Sequence, residues 1–309
     1  MLSIKKFLLL FALLSIGHNG TILPMNSAQP SEKHAIVYLI SNPRASLVEF
    51  LRMIGTRGDI KVMHIPANYA YCHANNYVET VKGWYRDDAP TTYSQAKEDI
   101  IEEAKKSDVI VGENTHTVNE FLKANPDFIS NPDVQFMVLI SEPHGSIISY
   151  YEQKKDYFDK LPETQMSASI GFEGLYNLLQ ELKNSDKGLP LIISTESLYY
   201  NTRETVQKVC DYLNIPFKEE SLQWKDISEN FTTFESEGWY TIELTECSKK
   251  WHGKAIRSTG FTEPGKYAVD TEGNPTFEEI ENPKHKEICK RAYLDNLAFY
   301  KKIQDLIKE

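Results

Sequence analysis

The chain has 309 residues, of which 41% are hydrophobic and 25% charged, as is ordinary for a globular protein with a sizeable core. Its formal net charge of −10 argues against general nucleic-acid binding, which requires a basic surface. No metal site is expected, because the four cysteines are far apart and form no metal-ligand spacing: Cys72, Cys210, Cys247 and Cys289.

The N-terminus has the pattern of a secretory signal peptide. Lys5 and Lys6 precede the apolar run 7–16, which is too short to span a bilayer comfortably. Residues 1–28 are therefore expected to be a signal peptide or a mistranslated leader. The protein is exported to the periplasm or secreted if the signal is real, and cytoplasmic if translation starts at Met25. No stable membrane span is expected after signal removal.

Residues 35–58 predict a buried strand, a tight turn and an amphipathic helix. The continuous apolar run 36–40 suits a strand that is covered on both faces, and Pro43 ends it. Apolar residues then recur at helical spacing from Val48 to Ile54. The turn between them brings a guanidinium, backbone N–H groups and a helix N-terminus to one point, which suits a phosphate or sulfate. Taken alone, the turn could equally be an ordinary strand–helix connection.

Strands and helices alternate along the rest of the chain. Further strands are expected at 61–65, 108–112, 134–140 and 191–194. Helices are expected at 94–106, 116–124, 143–153, 167–182, 202–213 and 283–307, and a long Tyr- and Asn-rich loop at 67–93. This alternation predicts a mostly parallel sheet with helices on both faces, in one domain over 35–309. Ligands of such sheets bind at the carboxyl ends of the strands, next to Asn42, His64, Glu113 and Ser141.

Four segments in the same order resemble the bacterial sulfotransferase family. They are SNPRAS at 41–46 with the strand that follows it, LISEPHGSIISYY at 139–151, IISTESLYYNTRETVQKVCDYLNIPF at 192–217 and WHGKAIRSTGF at 251–261. Four motifs in register are more specific than any one of them. The resemblance implies a P-loop-type α/β fold in three layers, with a parallel sheet between helices.

The same resemblance implies transfer of a sulfuryl group from 3′-phosphoadenosine-5′-phosphosulfate to a hydroxyl or amine. The acceptor would be an unidentified small molecule or glycan, and the chemistry needs no metal ion. The implied donor site consists of six residues, namely Arg44, Ala45 and Ser46 at the 5′ phosphosulfate and Ser149, Arg257 and Ser258 at the 3′ phosphate.

A histidine is the expected base for the acceptor's proton. His64 stands at a strand end, where it could be the base or a half-buried structural histidine. His116 stands three residues after Glu113, where it could be the base or a histidine that faces water. The acceptor pocket could be lined by tyrosines, which could equally be packing residues: Tyr69, Tyr71, Tyr77, Tyr85 and Tyr93.

Several positions depart from the family pattern. Leu47 and Val48 stand where the family has a pair of hydroxyl side chains, and Ser141 stands where it has an arginine. Ile65 stands in place of a carboxylate, and Gly112-Glu113 in place of a Lys–Asp pair. These departures leave a second hypothesis, in which the protein keeps the fold without catalytic activity. It would then act as an exported protein that binds a partner or glycan through the Tyr-rich loop.

Overall fold

Five parallel strands form one sheet in the described part of the chain. The computed structural model describes residues 35–78, 85–228, 246–261 and 267–308, which lie in one compact unit. The strands are β1 (Ile36–Ser41), β2 (Lys61–His64), β3 (Val109–Asn114), β4 (Val134–Ile140) and β5 (Leu191–Ser194). Their order is β2-β3-β1-β4-β5, and every neighbouring pair is parallel. The predicted α/β class with a parallel sheet is confirmed.

Helices pack on both faces of this sheet. They are α1 (Leu47–Thr56), α2 (Asn68–Ala74), α3 (Tyr93–Ala104), α4 (Thr115–Ala124), α5 (Asp127–Ser130), α6 (Pro143–Lys154), α7 (Gln165–Ile170), α8 (Phe172–Lys183), α9 (Thr195–Tyr200), α10 (Thr202–Leu213), α11 (Glu246–Arg257) and α12 (Pro283–Lys308). Short 3₁₀ turns occupy Lys155–Lys160 and Glu219–Leu222.

The two faces of β1 contribute to two separate hydrophobic clusters. Ile36, Tyr38 and Ile40 belong to the cluster that includes residues of α3 to α8 and α12. Val37 and Leu39 belong to the other cluster, with residues of α1 and α10. Successive side chains of a strand point to opposite faces, so a strand covered on both sides must be apolar throughout. The run 36–40 follows this rule, and the three-layer arrangement results from it.

Local structure differs from the prediction within the loop 67–93 and the helix 167–182, and the short helices α5 and α9 were not predicted. The predicted loop 67–93 is wrong in part, because α2 lies within it; residues 79–84 of that loop are outside the described residues. The predicted helix 167–182 is two helices, α7 and α8, because Gly171 adopts φ 75° between them. Glycine adopts this left-handed conformation without the steric cost of a Cβ.

The predicted leader at 1–28 lies outside the described residues. None of the helices within the described ranges has both the length and the apolar character that crossing a membrane requires.

Candidate active site

A cleft of about 1070 Å³ opens at the carboxyl ends of the strands. Its walls come from the turns that follow all five strands and from α2, α6 and α11. The sequence predicts a ligand site at this edge, and the structure brings Arg44, Ser46, Ser149, His64 and His116 together around one cleft.

The turn after β1 is held by the buried side chain of Asn42. Its Oδ1 accepts a hydrogen bond from the backbone N–H of Ser141 (3.0 Å), and its Nδ2 donates to Ser146 Oγ (3.0 Å). Ala45, predicted to contact the donor, is fully buried, and its N–H donates within the turn to Asn42 O (3.3 Å). Ala45 therefore contributes to the shape of the turn, while its neighbours line the cleft.

Arg44 joins three elements around the cleft. Its Nε donates to Ser149 Oγ of α6 (2.9 Å) and its Nη1 to the carbonyl of Trp251 in α11 (3.1 Å). Burial lowers the pKa of the guanidinium, and Glu49 opposes this shift. An arginine stays cationic in proteins, so a positive charge lies beside the first turn of α1. Arg44 and Ser149, predicted at opposite phosphates of one donor, are direct neighbours.

The N-terminus of α1 faces the same cleft. Leu47, Val48 and Glu49 line it, and the N–H groups of a first helical turn have no partner within their helix. Ser46 is in the left-handed region (φ 58°), and its hydroxyl hydrogen-bonds the hydroxyl of Tyr199 instead of capping α1. The backbone donors of α1 therefore remain available to an anion.

Leu47 packs into the core where the family pattern has a hydroxyl. Its side chain is 7% exposed and lies against β3 at Gly112. A Cβ built on Gly112 would lie 3.0 Å from Leu47 Cδ1 and 2.7 Å from Leu51 Cδ1. The absence of a side chain at this position allows α1 to approach the sheet closely.

Ser141 stands where the family pattern has an arginine. It is 7% exposed, and its hydroxyl hydrogen-bonds the hydroxyl of Ser146, which also accepts from Asn42. A closed network of neutral groups therefore replaces a cation at this edge of the cleft.

Arg257 and Ser258 do not line the cleft with the other predicted donor residues. Arg257 is exposed at the end of α11. Ser258 Oγ donates to Ala255 O (2.7 Å) and accepts from Trp224 Nε1 (3.0 Å). These bonds turn the serine hydroxyl towards the protein interior, so it packs α11 against the loop that carries Trp224.

Arg52 ties α1 to the end of α11. The arginine is 1% exposed and donates from Nη1 to the carbonyls of Ala255, Ile256 (3.1 Å) and Ser258 (3.2 Å). Carbonyls at a helix C-terminus lack partners within the helix, and a guanidinium can satisfy several of them. This side chain holds α11 in place over the cleft.

His64 and His252 form an edge-to-face pair, with ring centroids 5.3 Å apart. His64 is 2% exposed, so it is fully buried rather than half-buried. Burial lowers its pKa well below the usual value, and His252 adds to this shift. Burial also lowers the pKa of His252 to about 3, with a further contribution from Arg44. Both rings are therefore neutral imidazoles beside the guanidinium.

His116 lies in the first turn of α4, partly buried in the wall of the cleft. Its Nδ1 is buried, and among the described residues it has no hydrogen-bond partner. Its ring makes an edge contact with Tyr71, at 4.9 Å between centroids. Burial lowers its pKa to about 4, and the charge of Lys154 adds to the shift. His116 is therefore neutral near pH 7 and can accept a proton.

Lys154, which sequence reasoning did not single out, lies at the C-terminal end of α6. Its Nζ is 5.0 Å from the centroid of the Trp251 ring and 5.4 Å from that of Tyr150. Burial lowers the pKa of its amine to about 8. The sequence signal that could have identified Lys154 is its spacing of four residues from Tyr150 and eight from Ser146, which places all three on one face of a helix.

The five tyrosines separate into two groups. Tyr71, Tyr77 and Tyr85 line the cleft. Tyr69 stacks on Tyr85 at 4.6 Å, and Tyr93 donates a hydrogen bond to Glu120 (2.9 Å). The latter two support the wall from behind.

Glu113, at the end of β3, is a fully buried carboxyl behind the cleft. It accepts hydrogen bonds from the backbone N–H groups of Ala67 (3.0 Å) and Asn114 (3.1 Å). Burial raises its pKa to about 8, although these hydrogen bonds oppose the shift. Glu113 thereby fixes the start of α2. Within the described ranges, no cluster of three or more His, Cys, Asp or Glu residues is placed to hold a metal ion.

Comparison with known proteins identifies the family. A search of curated proteins finds no match. Among solved structures, the chain is similar to the sulfotransferase domain from the curacin biosynthetic pathway (14% identity, TM-score 0.46, 84% of this chain and 97% of that one). It is also similar to a mouse sulfotransferase complexed with PAP (13% identity, TM-score 0.40, 89% of this chain and 90% of that one). A third similar structure is a sulfotransferase from Alicyclobacillus acidocaldarius (12% identity, TM-score 0.41, 73% of this chain and 97% of that one). A family model of the sulfotransferase domain matches residues 45–237. Because this match covers more than half of the chain, the protein belongs to the sulfotransferase family.

Proposed function

We propose that this protein transfers a sulfuryl group from 3′-phosphoadenosine-5′-phosphosulfate to a hydroxyl or amine. The observation that carries the proposal is the 2.9 Å contact between Arg44 and Ser149 at the N-terminus of α1. A guanidinium beside unpaired helical N–H groups is a strong site for a phosphate or sulfate oxygen. In the bound state, Arg44 exchanges its protein partners for the 5′ phosphosulfate.

The reaction requires little covalent chemistry from the protein. The acceptor oxygen or nitrogen attacks sulfur, the bond from sulfur to the 5′-phosphate oxygen breaks, and 3′,5′-bisphosphoadenosine leaves. As in phosphoryl transfer, catalysis rests on in-line positioning and on stabilising charge at the equatorial oxygens. Arg44 and the first turn of α1 supply that stabilisation. A metal ion has no part in this scheme.

The proton of the acceptor goes to His116 in this scheme. Its side chain lines the cleft, and its ring is neutral near pH 7. His64, the other predicted base, packs against His252 beside Arg44. That position suits a contact with the sulfuryl group better than proton transfer from the acceptor.

A second candidate function is supported by the neutral network around Ser141. A missing charged hydrogen bond to the 3′ phosphate weakens binding by about 1.5–3 kcal/mol, which is about ten- to a hundredfold. If donor affinity has fallen beyond use, the protein is a sulfotransferase-fold binding protein without activity. The lining residue Lys254, on α11, offers a replacement cation.

Calorimetry with 3′,5′-bisphosphoadenosine separates the two functions. The full chain and the control Arg291→Ala should bind, since Arg291 is exposed on α12 and pairs with Glu163. Arg44→Ala should abolish the signal. Transfer of labelled sulfate to a mixed pool of acceptors then tests catalysis. If the folded wild-type chain shows no heat at millimolar nucleotide, the donor proposal fails and the binding-protein function stands.

Export remains a proposal that rests on the sequence of residues 1–28. The donor nucleotide is made in the cytosol, so an exported enzyme must meet it inside another cell. Intact-mass measurement of the mature protein decides the point. A chain that begins at Met25 or at Met1 would contradict export.

A further inference from the structure

The cleft has two ends with different chemistry, and α6 runs between them. Ser149 contacts Arg44 at the donor turn. Lys154 follows five residues later, about 7.5 Å farther along the helix axis at 1.5 Å per residue. We call the region around Lys154 the acceptor end, and its walls consist of Tyr71, Cys72, His116, Tyr150, Lys154 and Trp251.

The acceptor end has flat aromatic walls. Tyr150 and Trp251 meet edge to face, with ring centroids 6.3 Å apart and an angle of 69° between the planes. Tyr71, also in the lining, packs edge to face against His116, with ring centroids 4.9 Å apart. Aromatic side chains that line a cleft can stack on a planar or pyranose ring, and their polar tips can orient its substituents.

Among the described residues of the acceptor end, the charged side chain is Lys154. Among the described lining residues, the carboxylates are Glu49, Glu142 and Glu196, which belong to α1, the start of α6 and α9. These elements surround the donor turn rather than Lys154. Glu120, near Tyr71, does not line the cleft and accepts hydrogen bonds from Tyr93 (2.9 Å) and Asn75 (3.2 Å).

Lys154 is placed to bind an anion that enters this end. Its ammonium lies over two rings within a partly desolvated wall, and burial lowers its pKa to about 8. An anion beside such a group favours its charged form and, in a partly desolvated wall, binds more strongly than at a solvated surface lysine.

We propose that the acceptor is a hydroxylated ring that carries an anionic group, with the hydroxyl at His116 and the anion on Lys154. This inference rests on the proposed sulfuryl transfer for the identity of the reaction. The geometry of the acceptor end carries the substrate class. A phenolic carboxylate and a uronic acid share this chemistry and differ in the ring that the aromatic walls receive.

Matched pairs of probes test the charge requirement. We compare 4-hydroxybenzoate with 4-hydroxybenzamide, and glucuronate with glucose, by calorimetry on the full chain and by labelled transfer. The anionic member of one pair should be preferred about ten- to a hundredfold, the range for a charged hydrogen bond. The pair that shows the preference identifies the ring.

Variants of two lysines assign the preference to a residue. Lys154→Met should remove the preference, so that the ratio of the anionic to the neutral probe's affinity falls to about one. Lys105→Met, on an exposed lysine paired with Glu102, should retain it. Three outcomes would overturn the inference. They are equal affinities within both pairs, a preference that survives Lys154→Met, and no binding of either anionic probe at millimolar concentration.

The outcomes for donor and acceptor are separable. If the bisphosphate nucleotide binds but the anion preference is absent, the sulfotransferase function stands and the acceptor class fails. If the nucleotide does not bind but an anionic ring binds through Lys154, the acceptor end is a ligand site of the non-catalytic protein.

Discussion

The fully buried carboxyl of Glu113 should make the stability of this protein depend on pH. Burial raises its pKa from 4.5 to about 8 in the folded state. The folded protein therefore holds a proton that the unfolded chain releases above pH 4.5. Stability from this group is fully present below pH 4.5 and is lost as the pH rises towards 8. The complete loss is about 5 kcal/mol, at 1.36 kcal/mol for each pKa unit.

Glu113→Gln should remove this dependence. Glutamine keeps the shape but cannot ionise, and its amide nitrogen cannot accept one of the two backbone hydrogen bonds, which costs about 1 kcal/mol at pH 5. Between pH 5 and pH 8 the free energy of unfolding of the wild type should fall by about 3.5 kcal/mol relative to the variant.

Urea unfolding followed by circular dichroism at pH 5, 6.5 and 8 measures this difference. Glu98→Gln is the matched control, because Glu98 is exposed on α3, and it should keep the pH dependence of the wild type. If Glu113→Gln and the wild type lose stability in parallel as the pH rises, the carboxyl is ionised in the folded protein and the reasoning is refuted.

Three further predictions concern the elements around the cleft. Arg52→Met should lower the free energy of unfolding by about 3 kcal/mol or more, because the end of α11 loses several charge-assisted hydrogen bonds. Thermal unfolding measures this change, and the control Arg291→Met should leave the melting temperature almost unchanged. Gly112→Ala should lower the free energy of unfolding by about 1–3 kcal/mol, since its Cβ would lie 2.7 Å from Leu51 Cδ1. An unchanged midpoint of urea unfolding would show that α1 shifts to accommodate the methyl group without loss of stability. If His116 is the base, the acid limb of kcat/KM should lie near pH 4. Lys154→Met should move that limb to higher pH, because the lysine charge lowers the His116 pKa; an identical limb in both proteins would exclude this pairing.

Much of the sheet could be predicted because its sequence pattern is local. The run 36–40 is apolar at every position, and its short length, its β-branched residues and the proline that follows favour a strand covered on both faces. Pro43 then ends the strand, and the apolar spacing from Val48 onwards starts α1. The position of the cleft follows from this alternation, because all five strands end at one edge.

The remaining features depend on contacts between distant residues. The start of α2 depends on Glu113, which accepts a hydrogen bond from Ala67 across 46 positions of sequence. The burial of His116 depends on Tyr71, which belongs to that unpredicted helix. Ser258 was expected at the donor because it lies in the family-like segment 251–261, but its hydroxyl hydrogen-bonds Ala255 and Trp224. Tertiary partners decided each of these positions.

The close approach of α1 to Gly112 couples two departures from the family pattern, namely those at positions 47 and 112. Leucine at 47 occupies the space that a side chain at 112 would need. A hydroxyl at 47 alone would leave a void against β3, and a lysine at 112 alone would collide with Leu47 and Leu51. The two positions are therefore coupled through packing, and Leu51, whose Cδ1 lies closest to a Cβ at 112, belongs to the same contact. Rebuilding the donor loop in this protein would require repacking Leu47 and Leu51 together with position 112.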